Sequence, residues 1–515
     1  MSSASLNATR RACELDTLAS SGWVDVLVIG AGVTGAGVAL DAAARGLSTA
    51  LVDKHDLAFG TSRWSSKLVH GGLRYLATGR LGVAYQSAVE RDILLRRTAP
   101  HLVRPFPQLV PLLPQMSATH AATLRAGYLA GDTLRRLAGT SGRQLPHSRH
   151  ITPAETQRHA PTVRVAGLRG GILGWDCQLH DDARLVVALA RTAASFGARV
   201  LTRCAVEKAT GDGATVVDQL TQHRFQVSAR VVINATGVWA SQLAPQIPLR
   251  PSRGSHLIFD QQLFGGLSAG LTAPVPGERN RFVFALPAPD NRVLVGLTDE
   301  EAPGEIPDVP HPNQSEIDFL ISAINSVLRA PVSRRDLLGS YAGLRPLLES
   351  DGRTADLSRQ HAVFVSRDGL VTVIGGKLTT YRRMAQDALD VALRRRGVTA
   401  GPCRTQRLPL VGAVGWQRTS APERLLRRYG SEAPAVLAEA QGDPELLAPI
   451  DHGIDTTGAE LRFAVRHEGA LDVADLLDRR TRIGLVAADR ERAIAQAENA
   501  LSLGVHGVKP NVPSS

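Results

Sequence analysis

The stretch VDVLVIGAGVTG, residues 24–35, decides the fold of this 515-residue chain. Residues 24–30 form a short, β-branched apolar run that ends in glycine, which is typical of a buried parallel strand. Small residues from Ala31 to Arg45 predict a helix, and LSTALVD at 47–53 predicts the next strand. The sequence therefore predicts a βαβ unit in an α/β protein.

Three glycines occupy the turn between the first strand and the helix. Gly30 permits a tight turn, Gly32 lets the backbone approach a pyrophosphate, and Gly35 lets helix and strand pack closely. The N–H groups at the start of the helix favour an anion. Asp53 ends the second strand, where a carboxylate can bind the ribose hydroxyls of an adenosine. The pattern predicts a dinucleotide site, and a glycine-rich turn without a ligand is the alternative.

Two later strands also end in glycine. VVINATG at 231–237 and LVTVIGG at 370–376 predict further strands of the same sheet, and a helix follows Lys377. In FAD enzymes of the glutathione-reductase type, a late strand–helix junction of this kind approaches the flavin. One early dinucleotide loop followed by distant returns of the chain therefore favours FAD over NAD.

The composition limits the classes of protein to consider. Hydrophobic residues make up 43% of the chain, and its length predicts two to four domains. The four cysteines are scattered, which argues against a disulfide scaffold or a zinc site and favours a reducing cytoplasm, so no metal is expected. We expect no signal peptide and no membrane span, so any membrane contact is expected to be peripheral.

The net charge of +11 is unevenly distributed. Residues 86–169 hold 12 arginines and 4 acidic residues. A solvated surface, a funnel for an anionic substrate and a patch for anionic lipid are all compatible with this excess. No zinc-finger spacing, RNP motif or basic heptad segment accompanies it, so nucleic acid is not an expected partner.

One segment of that region alternates apolar and cationic residues at near-helical spacing: Leu124, Arg125, Tyr128, Leu129, Leu134, Arg135 and Arg136. The pattern suits either a helix in a bilayer interface or a helix packed on its own domain.

Other segments give local predictions. The proline cluster at 105–114 excludes a helix interior, and 281–298 predicts a hairpin with a Pro-Asp-Asn turn. After about residue 399 the pattern is helical.

From Thr61 the sequence becomes specific for a family. TSRWSSKLVHGGLRYL at 61–76 resembles the segment that follows the dinucleotide fold in bacterial FAD-dependent glycerol-3-phosphate dehydrogenases. Further segments match that family in the same order: WDCQLHDDARLV (175–186), NATGVWA (234–240), GSHLIF (254–259), YAGLRPL (341–347) and GGKLTTYR (375–382). The resemblance spans roughly residues 23–395 with strong motifs, and it continues more weakly towards the C-terminus.

The resemblance implies an α/β fold with a glutathione-reductase-type FAD-binding Rossmann domain, an inserted α+β substrate domain and a C-terminal helical domain. The expected FAD domain comprises 1–85, 164–244 and 340–398, the substrate domain 86–163 and 245–339, and the helical domain 399–515. We expect FAD to be bound without a covalent link and the protein to be a homodimer.

The implied reaction is oxidation of sn-glycerol 3-phosphate to dihydroxyacetone phosphate, with a hydride leaving C2 for N5 of FAD. Arg74 and Tyr75 match the pair that contacts the substrate phosphate in the family, and Lys377 matches the lysine of GGKLTTYR. Arg359 matches another phosphate-side arginine, although this chain has Ser-Arg-Gln-His where the family tends to have an Arg-Asp pair. Cations of this kind suit a dianionic phosphate.

His256, in Gly-Ser-His, matches a substrate-side histidine of the family, and Arg345 matches an arginine near the reacting oxygen. We assign His256 as the candidate base, because an ordinary histidine pKa near 6.5 suits proton acceptance at neutral pH. Arg345 is expected to stabilise the developing alkoxide; Lys377 or a bound water is the alternative base. The expected FAD contacts are Gly30, Gly32, Gly35, Asp53, Thr61, Ser62, Ser66, His70, Gly237, Gly375, Gly376, Lys377 and Leu378.

The electron acceptor is left open by these motifs. The resemblance implies a membrane quinone and a peripheral position on the inner face of the cytoplasmic membrane. A related branch reduces oxygen to hydrogen peroxide, and this glycerol-3-phosphate oxidase activity is the alternative. An amino-acid or amine oxidase needs an arginine for a carboxylate and an aromatic side chain near the amine, not four cationic or phenolic phosphate ligands. A protein that uses FAD only structurally has no need of His256, Arg345, Arg74 and Lys377.

Overall fold

Two large sheets form the framework of the protein. In the computed structural model, which describes residues 3–72, 80–275, 278, 281–349 and 360–505, one sheet has eight strands and the other has ten. The eight-stranded sheet contains, in spatial order, β17 (Ala362–Val365), β18 (Val371–Ile374), β10 (Arg224–Asn234), β1 (Trp23–Ile29), β2 (Thr49–Val52) and β7 (Arg199–Leu201), with β9 (Gly213–Asp218) beside β10 and β8 (Cys204–Thr210) beside β9.

The ten-stranded sheet contains β15 (Glu300–Glu301), β11 (Ser252–Asp260), β14 (Arg292–Gly296), β13 (Phe282–Ala288), β12 (Gly270–Pro274), β4 (Val103–Pro111), β6 (Gly171–Leu179) and β3 (Leu68–Val69), with β16 (Leu337–Arg345) beside β11 and β5 (Arg149–Ile151) beside β6. The α-helices are α1 (Ala8–Ser21), α2 (Val33–Ala44), α3 (Leu81–Ile93), α4 (Ala118–Leu137), α5 (Pro153–His159), α6 (Asp182–Ser195), α7 (Ala240–Leu243), α8 (Gln314–Asn325), α9 (Tyr381–Arg396), α10 (Glu423–Tyr429), α11 (Ala433–Ala438), α12 (Gly458–His467) and α13 (Ala487–Val505). β19 (Pro449–Asp451) and β20 (Ile454–Thr457) form a separate hairpin.

The predicted βαβ unit is confirmed at the centre of the eight-stranded sheet. β1 pairs in parallel with both β2 and β10, and β10 pairs in parallel with β18. Successive side chains of β1 enter different cores: Val26 and Val28 pack with α2, α6 and α9, while Leu27 and Ile29 pack with α1. Both faces of the strand are therefore buried, which explains its continuous apolar sequence.

Other local predictions are also confirmed. β13 and β14 form the predicted hairpin, and the proline cluster lies mostly in β4. Helices dominate after residue 399, although that region also carries the hairpin of β19 and β20. In the described part of the chain, no helix combines the length and apolarity needed to cross a bilayer.

The division between the sheets differs from the expected domain boundaries. β6 pairs with β4 and β3, so residues 171–179 belong to the ten-stranded sheet and not to the sheet of the dinucleotide loop. β16 pairs along its length with β11, so the ten-stranded sheet extends to Arg345, beyond the boundary expected near residue 340. Apolar strands carry the same local pattern in either sheet, so the sequence of 171–179 alone does not show which sheet it joins.

Buried ion pairs attach the C-terminal region to the dinucleotide side of the protein. Asp56, which follows β2, accepts hydrogen bonds from Arg479 at 2.6 Å and from Arg480 at 2.8 Å. Burial raises the pKa of the Asp56 carboxyl, but the charges of Arg480 and Arg479 outweigh it and hold that pKa below its ordinary value. The pair therefore contributes stability above the ordinary aspartate pKa, and this contribution is lost as the pH falls below it.

We expect Asp56→Asn to lower the free energy of unfolding by about 3–5 kcal/mol, because it removes the carboxylate that the buried Arg480 and Arg479 share and leaves Arg479 with Asp475. Urea denaturation at pH 7, followed by circular dichroism, measures this loss. Asp318→Asn is the matched control, since Asp318 forms an exposed pair with Arg334 at 2.7 Å and should change stability by no more than about 1 kcal/mol. Equal stability of the two variants would contradict a stabilising role for the Asp56 pair.

Candidate active site

A large cleft is lined by residues from both sheets. Its volume is about 1640 Å³, larger than the roughly 300–1,000 Å³ of pockets for drug-sized ligands. The cleft begins at the glycine loop after β1, passes the carboxyl ends of β10 and β18, and reaches β11 and β16. This volume and course suit a dinucleotide together with a small substrate.

The glycine loop is packed so tightly that side chains are excluded. Gly30 has φ +101°, and a Cβ placed there would lie 2.7 Å from the carbonyl oxygen of Ala235 at the end of β10. A Cβ on Gly35 would lie 1.8 Å from the carbonyl oxygen of Gly30. Gly35 is the one predicted FAD contact among the described residues that does not line the cleft, because it serves this helix–strand packing.

Polar side chains fix the backbone of the loop. The Asp53 carboxylate accepts hydrogen bonds from the N–H groups of Ala31 at 2.6 Å and His55 at 2.8 Å. Burial raises the pKa of Asp53 to about 6, although these two bonds oppose the shift. The Ser62 hydroxyl accepts a hydrogen bond from the N–H of Val33 at 2.9 Å.

The later glycine turns enter the same cleft. Gly237, Gly375 and Gly376 all have positive φ values, between 63° and 78°. Lys377 follows this last turn and donates from Nζ to the Ser87 hydroxyl of α3 at 2.9 Å. The sequence did not point to Ser87, because nothing local relates α3 to the end of β18.

His256 lies on β11 and is only 2% exposed. Its ring stacks on Tyr341 of β16 with centroids 4.7 Å apart, and Nε2 lies 2.8 Å from the Ser66 hydroxyl. Nδ1 is buried and has no hydrogen-bond partner among the residues that the structure describes. Burial, followed by the charges of Lys67 and Arg345, lowers the pKa of His256 to about 3, while Asp182 opposes the shift. This differs from the ordinary value near 6.5 that the sequence suggested.

Arg345 reaches the cleft from the end of β16. Its Nη1 lies 3.3 Å from Asp299 and donates to the Ser252 hydroxyl at 3.1 Å, while Nη2 donates to the Thr298 carbonyl at 3.2 Å. Gly254 makes room for this group, since a Cβ there would lie 2.1 Å from Nη2. The guanidinium is thus held in place, and Asp299 balances part of its charge.

The cleft brings together most of the predicted site residues. Its lining includes Gly30, Gly32, Asp53, Thr61, Ser62, Ser66, His70, Gly237, His256, Arg345, Gly375, Gly376, Lys377 and Leu378. Arg74, Tyr75 and Arg359 lie outside the residues that the structure describes, so their roles stay predictions. In the described ranges, no cluster of three or more potential ligands could hold a metal ion.

A buried carboxylate that sequence reasoning did not single out also lines the cleft. Asp176 of β6 accepts from the N–H of Gly71 at 3.0 Å and from Nη1 of Arg91 at 2.7 Å. Burial raises the pKa of Asp176, although Arg91 opposes the shift. Asp176 lies within the segment WDCQLHDD, so the match of that segment was the available signal.

A second limb of the cleft passes beneath α4. Its apolar lining includes Val110, Leu124, Tyr128, Phe282 and Phe284. Leu124 and Tyr128 also pack on the residues around β4, so this side of α4 contacts its own domain. Arg135 is 2% exposed and donates to the Thr140 carbonyl at 2.7 Å, so at this position the helix packs on its own domain, which is one of the two alternatives that the sequence left open.

The described residues fit FAD. The residue before α2 is Gly32, which has no side chain that could cap the helix. The start of α2 is therefore suited to a phosphate. Asp53 lines the cleft near that turn, in the position expected for ribose binding, and the late glycine turns lie along the same cleft.

Comparisons with known proteins agree with this fold and with FAD as its cofactor. The family model described as FAD dependent oxidoreductase matches residues 25–382, and the model of the C-terminal domain of alpha-glycerophosphate oxidase matches residues 403–502. Glycerol-3-phosphate dehydrogenase 1 of Mycobacterium tuberculosis is 56% identical over 511 residues, covering 97% of this chain and 99% of that protein.

More distant proteins extend the similarity. A mitochondrial glycerol-3-phosphate dehydrogenase of Arabidopsis thaliana is 34% identical, covering 90% of this chain and 80% of that protein. The X-ray structure of the glycerol-3-phosphate dehydrogenase from Bacillus halodurans complexed with FAD has a TM-score of 0.75 and 27% identity, covering 96% of this chain and 94% of that one. On this evidence of fold, motif order and full-length identity, the chain belongs to the FAD-dependent glycerol-3-phosphate dehydrogenase family.

Proposed function

We propose that this protein oxidises sn-glycerol 3-phosphate to dihydroxyacetone phosphate. The observation that carries the proposal is the presence of His256, Arg345 and Lys377 in the same cleft as the glycine loop. The names of relatives that match nearly the whole chain support the same substrate. FAD, when bound, supplies the two-electron acceptor for this chemistry.

Charge supports an anionic substrate at this end of the cleft. Lys377 offers a flexible ammonium group, and Arg345 offers a fixed guanidinium fork. The predicted phosphate contacts Arg74, Tyr75 and Arg359 complete the proposed set. Removing a hydride from C2 leaves positive charge on the carbinol unless the hydroxyl proton departs, so the site also needs a proton acceptor.

His256 is the proposed proton acceptor, and Arg345 is the proposed stabiliser of the oxygen that loses the proton. The neutral imidazole can accept a proton because the low pKa keeps it unprotonated at neutral pH. Stacking on Tyr341 fixes the plane of the ring, so no rotamer entropy has to be lost when the substrate arrives.

A membrane quinone is the proposed electron acceptor. Support comes from the apolar limb beneath α4, whose wall of Val110, Phe282 and Phe284 suits an uncharged ring better than it suits a phosphate. Oxygen needs no such binding surface. The peroxide-forming oxidase is therefore the second candidate, and the match of the C-terminal region to an oxidase domain is what favours it.

We expect anaerobic addition of sn-glycerol 3-phosphate to bleach the flavin absorbance of the purified holoenzyme. Subsequent addition of a soluble quinone analogue should restore the absorbance faster than air-saturated buffer does. Glycerol, which lacks the phosphate, is the control substrate and should leave the flavin oxidised. Absence of bleaching contradicts the proposed substrate, and faster recovery with oxygen, accompanied by peroxide, contradicts the proposed acceptor.

We expect His256 of the substrate-free, oxidised holoenzyme to remain unprotonated from pH 8 down to pH 5. The neutral form is expected because the pKa of His256 is about 3 and a histidine loses its proton above its pKa. NMR of enzyme labelled at histidine Cε1 measures this titration, and the resonance missing from His256→Gln identifies the residue. In urea-unfolded enzyme the same group should titrate near pH 6.5. A midpoint near 6.5 in the folded enzyme contradicts the burial argument.

Peripheral attachment to the inner face of the cytoplasmic membrane is part of the proposal. α3 and α4 pack against each other, and together they expose Leu81, Tyr85, Leu129 and Leu137 with exposed fractions of 45–65%. Arg80 and Arg136 are exposed on or beside the same helices. Large apolar side chains among cations suit the interface of an anionic bilayer. The expected homodimer stays a prediction.

Replacement of Leu129 and Leu137 together by glutamate should abolish co-sedimentation of the holoenzyme with vesicles that contain anionic lipid. Each substitution removes an apolar contact and adds a charge that the lipid repels. Leu220→Glu is the matched control, because Leu220 is 56% exposed beside the distant strand β9. Binding should also weaken as salt rises. Undiminished binding of the double variant contradicts attachment through α4.

A further inference from the structure

The Ser66 hydroxyl contacts the candidate base at the wall of the cleft. Both residues line the cleft, but Ser66 is half-buried whereas His256 is only 2% exposed. The hydroxyl is 2.8 Å from Nε2 of His256, and the other ring nitrogen is buried. The ring nitrogen that faces Ser66 is therefore already engaged before any substrate enters.

The residues on both sides of Ser66 contact the same carboxylate. Asp182, at the start of α6, accepts hydrogen bonds from the N–H of Ser65 at 2.9 Å and from its hydroxyl at 2.7 Å. The ammonium group of Lys67 lies 3.5 Å from the same carboxylate and donates to the Ser65 carbonyl at 3.3 Å. Lys67 also has φ +57°, a conformation that needs such support.

His256 is held equally firmly from the opposite side. Its β-sheet neighbours are Gly296 on β14 and Tyr341 on β16. A Cβ on Gly296 would lie 2.3 Å from the imidazole, so glycine makes room for the ring, and Tyr341 stacks on it. The Tyr341 hydroxyl donates to the Ser65 carbonyl at 2.9 Å, which ties this stack to the segment that carries Ser66.

The sequence assigned both Ser62 and Ser66 to the cofactor, and in the structure their hydroxyls have different partners. Ser62 bonds to the glycine loop, whereas Ser66 bonds to the candidate base. Two rigid frameworks thus bring one hydroxyl and one imidazole into contact at the wall of the cleft. In nucleophilic catalysis, a neighbouring base activates a serine hydroxyl through a contact of this kind. The pair in this cleft has the same arrangement but a different role.

We propose that Ser66 contacts the C2 hydroxyl of the substrate and relays its proton to His256. The inference rests on the proposed oxidation of glycerol 3-phosphate. The substrate O–H bond breaks as its proton moves to Ser66 Oγ, and the Ser66 O–H bond breaks as its proton moves to Nε2 of His256. The C2–H bond breaks with both of its electrons, for which FAD, when bound, would supply the hydride acceptor, so C2 becomes a carbonyl carbon and Ser66 is regenerated as a neutral hydroxyl.

Stopped-flow measurement of anaerobic flavin reduction tests the relay. Ser66→Ala should slow reduction at saturating substrate about hundredfold or more, the usual contribution of a proton-transfer group. Ser66→Thr keeps the hydroxyl and should recover the parental rate to within about tenfold. The double variant Ser66→Ala, His256→Gln should reduce its flavin no more slowly than the slower of the two single variants, because both substitutions interrupt the same proton pathway.

A second measurement uses the parental holoenzyme and no variant. Reduction in mixtures of light and heavy water should show a curved dependence on deuterium fraction, because two protons move in the relay. A linear dependence, or no solvent isotope effect, overturns it. Parental reduction by Ser66→Ala, with flavin content unchanged, overturns the relay alone and leaves His256 as the direct base. A parental enzyme that glycerol 3-phosphate does not reduce overturns both the relay and the proposed function.

Discussion

The close contact between the turn after β1 and the end of β10 is the constraint on which the site depends. Gly30 lies against the backbone of Ala235, and Gly35 lies against Gly30, so neither position has space for a methyl group. This contact aligns the carboxyl ends of the parallel strands at one edge of the sheet, where ligands of α/β folds bind. Gly237 and the turn at 375–376 reach the cleft because their strands are in register with β1.

A short segment after the dinucleotide unit then joins the two sheets. Residues 61–71 leave the eight-stranded sheet, contribute β3 to the ten-stranded one and line the cleft between them. Two buried carboxylates hold this crossing: Asp182 binds Ser65, and Asp176 binds Gly71. A buried carboxylate needs a neighbouring cation, and each of the two has one: Lys67 lies beside Asp182, and Arg91 lies beside Asp176.

The sequence predicted what depends on local geometry and missed what depends on distant strands. The glycine spacing and the apolar run of β1 specify a βαβ unit by themselves, so that part of the fold was predictable. The sheet to which β6 belongs was not predictable, because a buried strand has the same sequence pattern in either sheet. Arg135 and Arg136 are adjacent in sequence, yet one is buried and the other exposed, since helical rotation and the loop at Thr140 decide their contacts.

The environment of His256 shows why site residues can be found from motifs while their chemistry cannot. The depressed pKa arises from burial, to which the packing against Tyr341 and Gly296 contributes, and then from the charges of Lys67 and Arg345, and these residues come from separate parts of the chain. An imidazole with a pKa of about 3 is a weak base, so it needs help when the substrate arrives. The negative charge of a bound phosphate would favour the imidazolium form and raise the pKa of the ring, whereas the cations that bind the phosphate would oppose that rise. The strength of this base therefore depends on what occupies the cleft as well as on the fold.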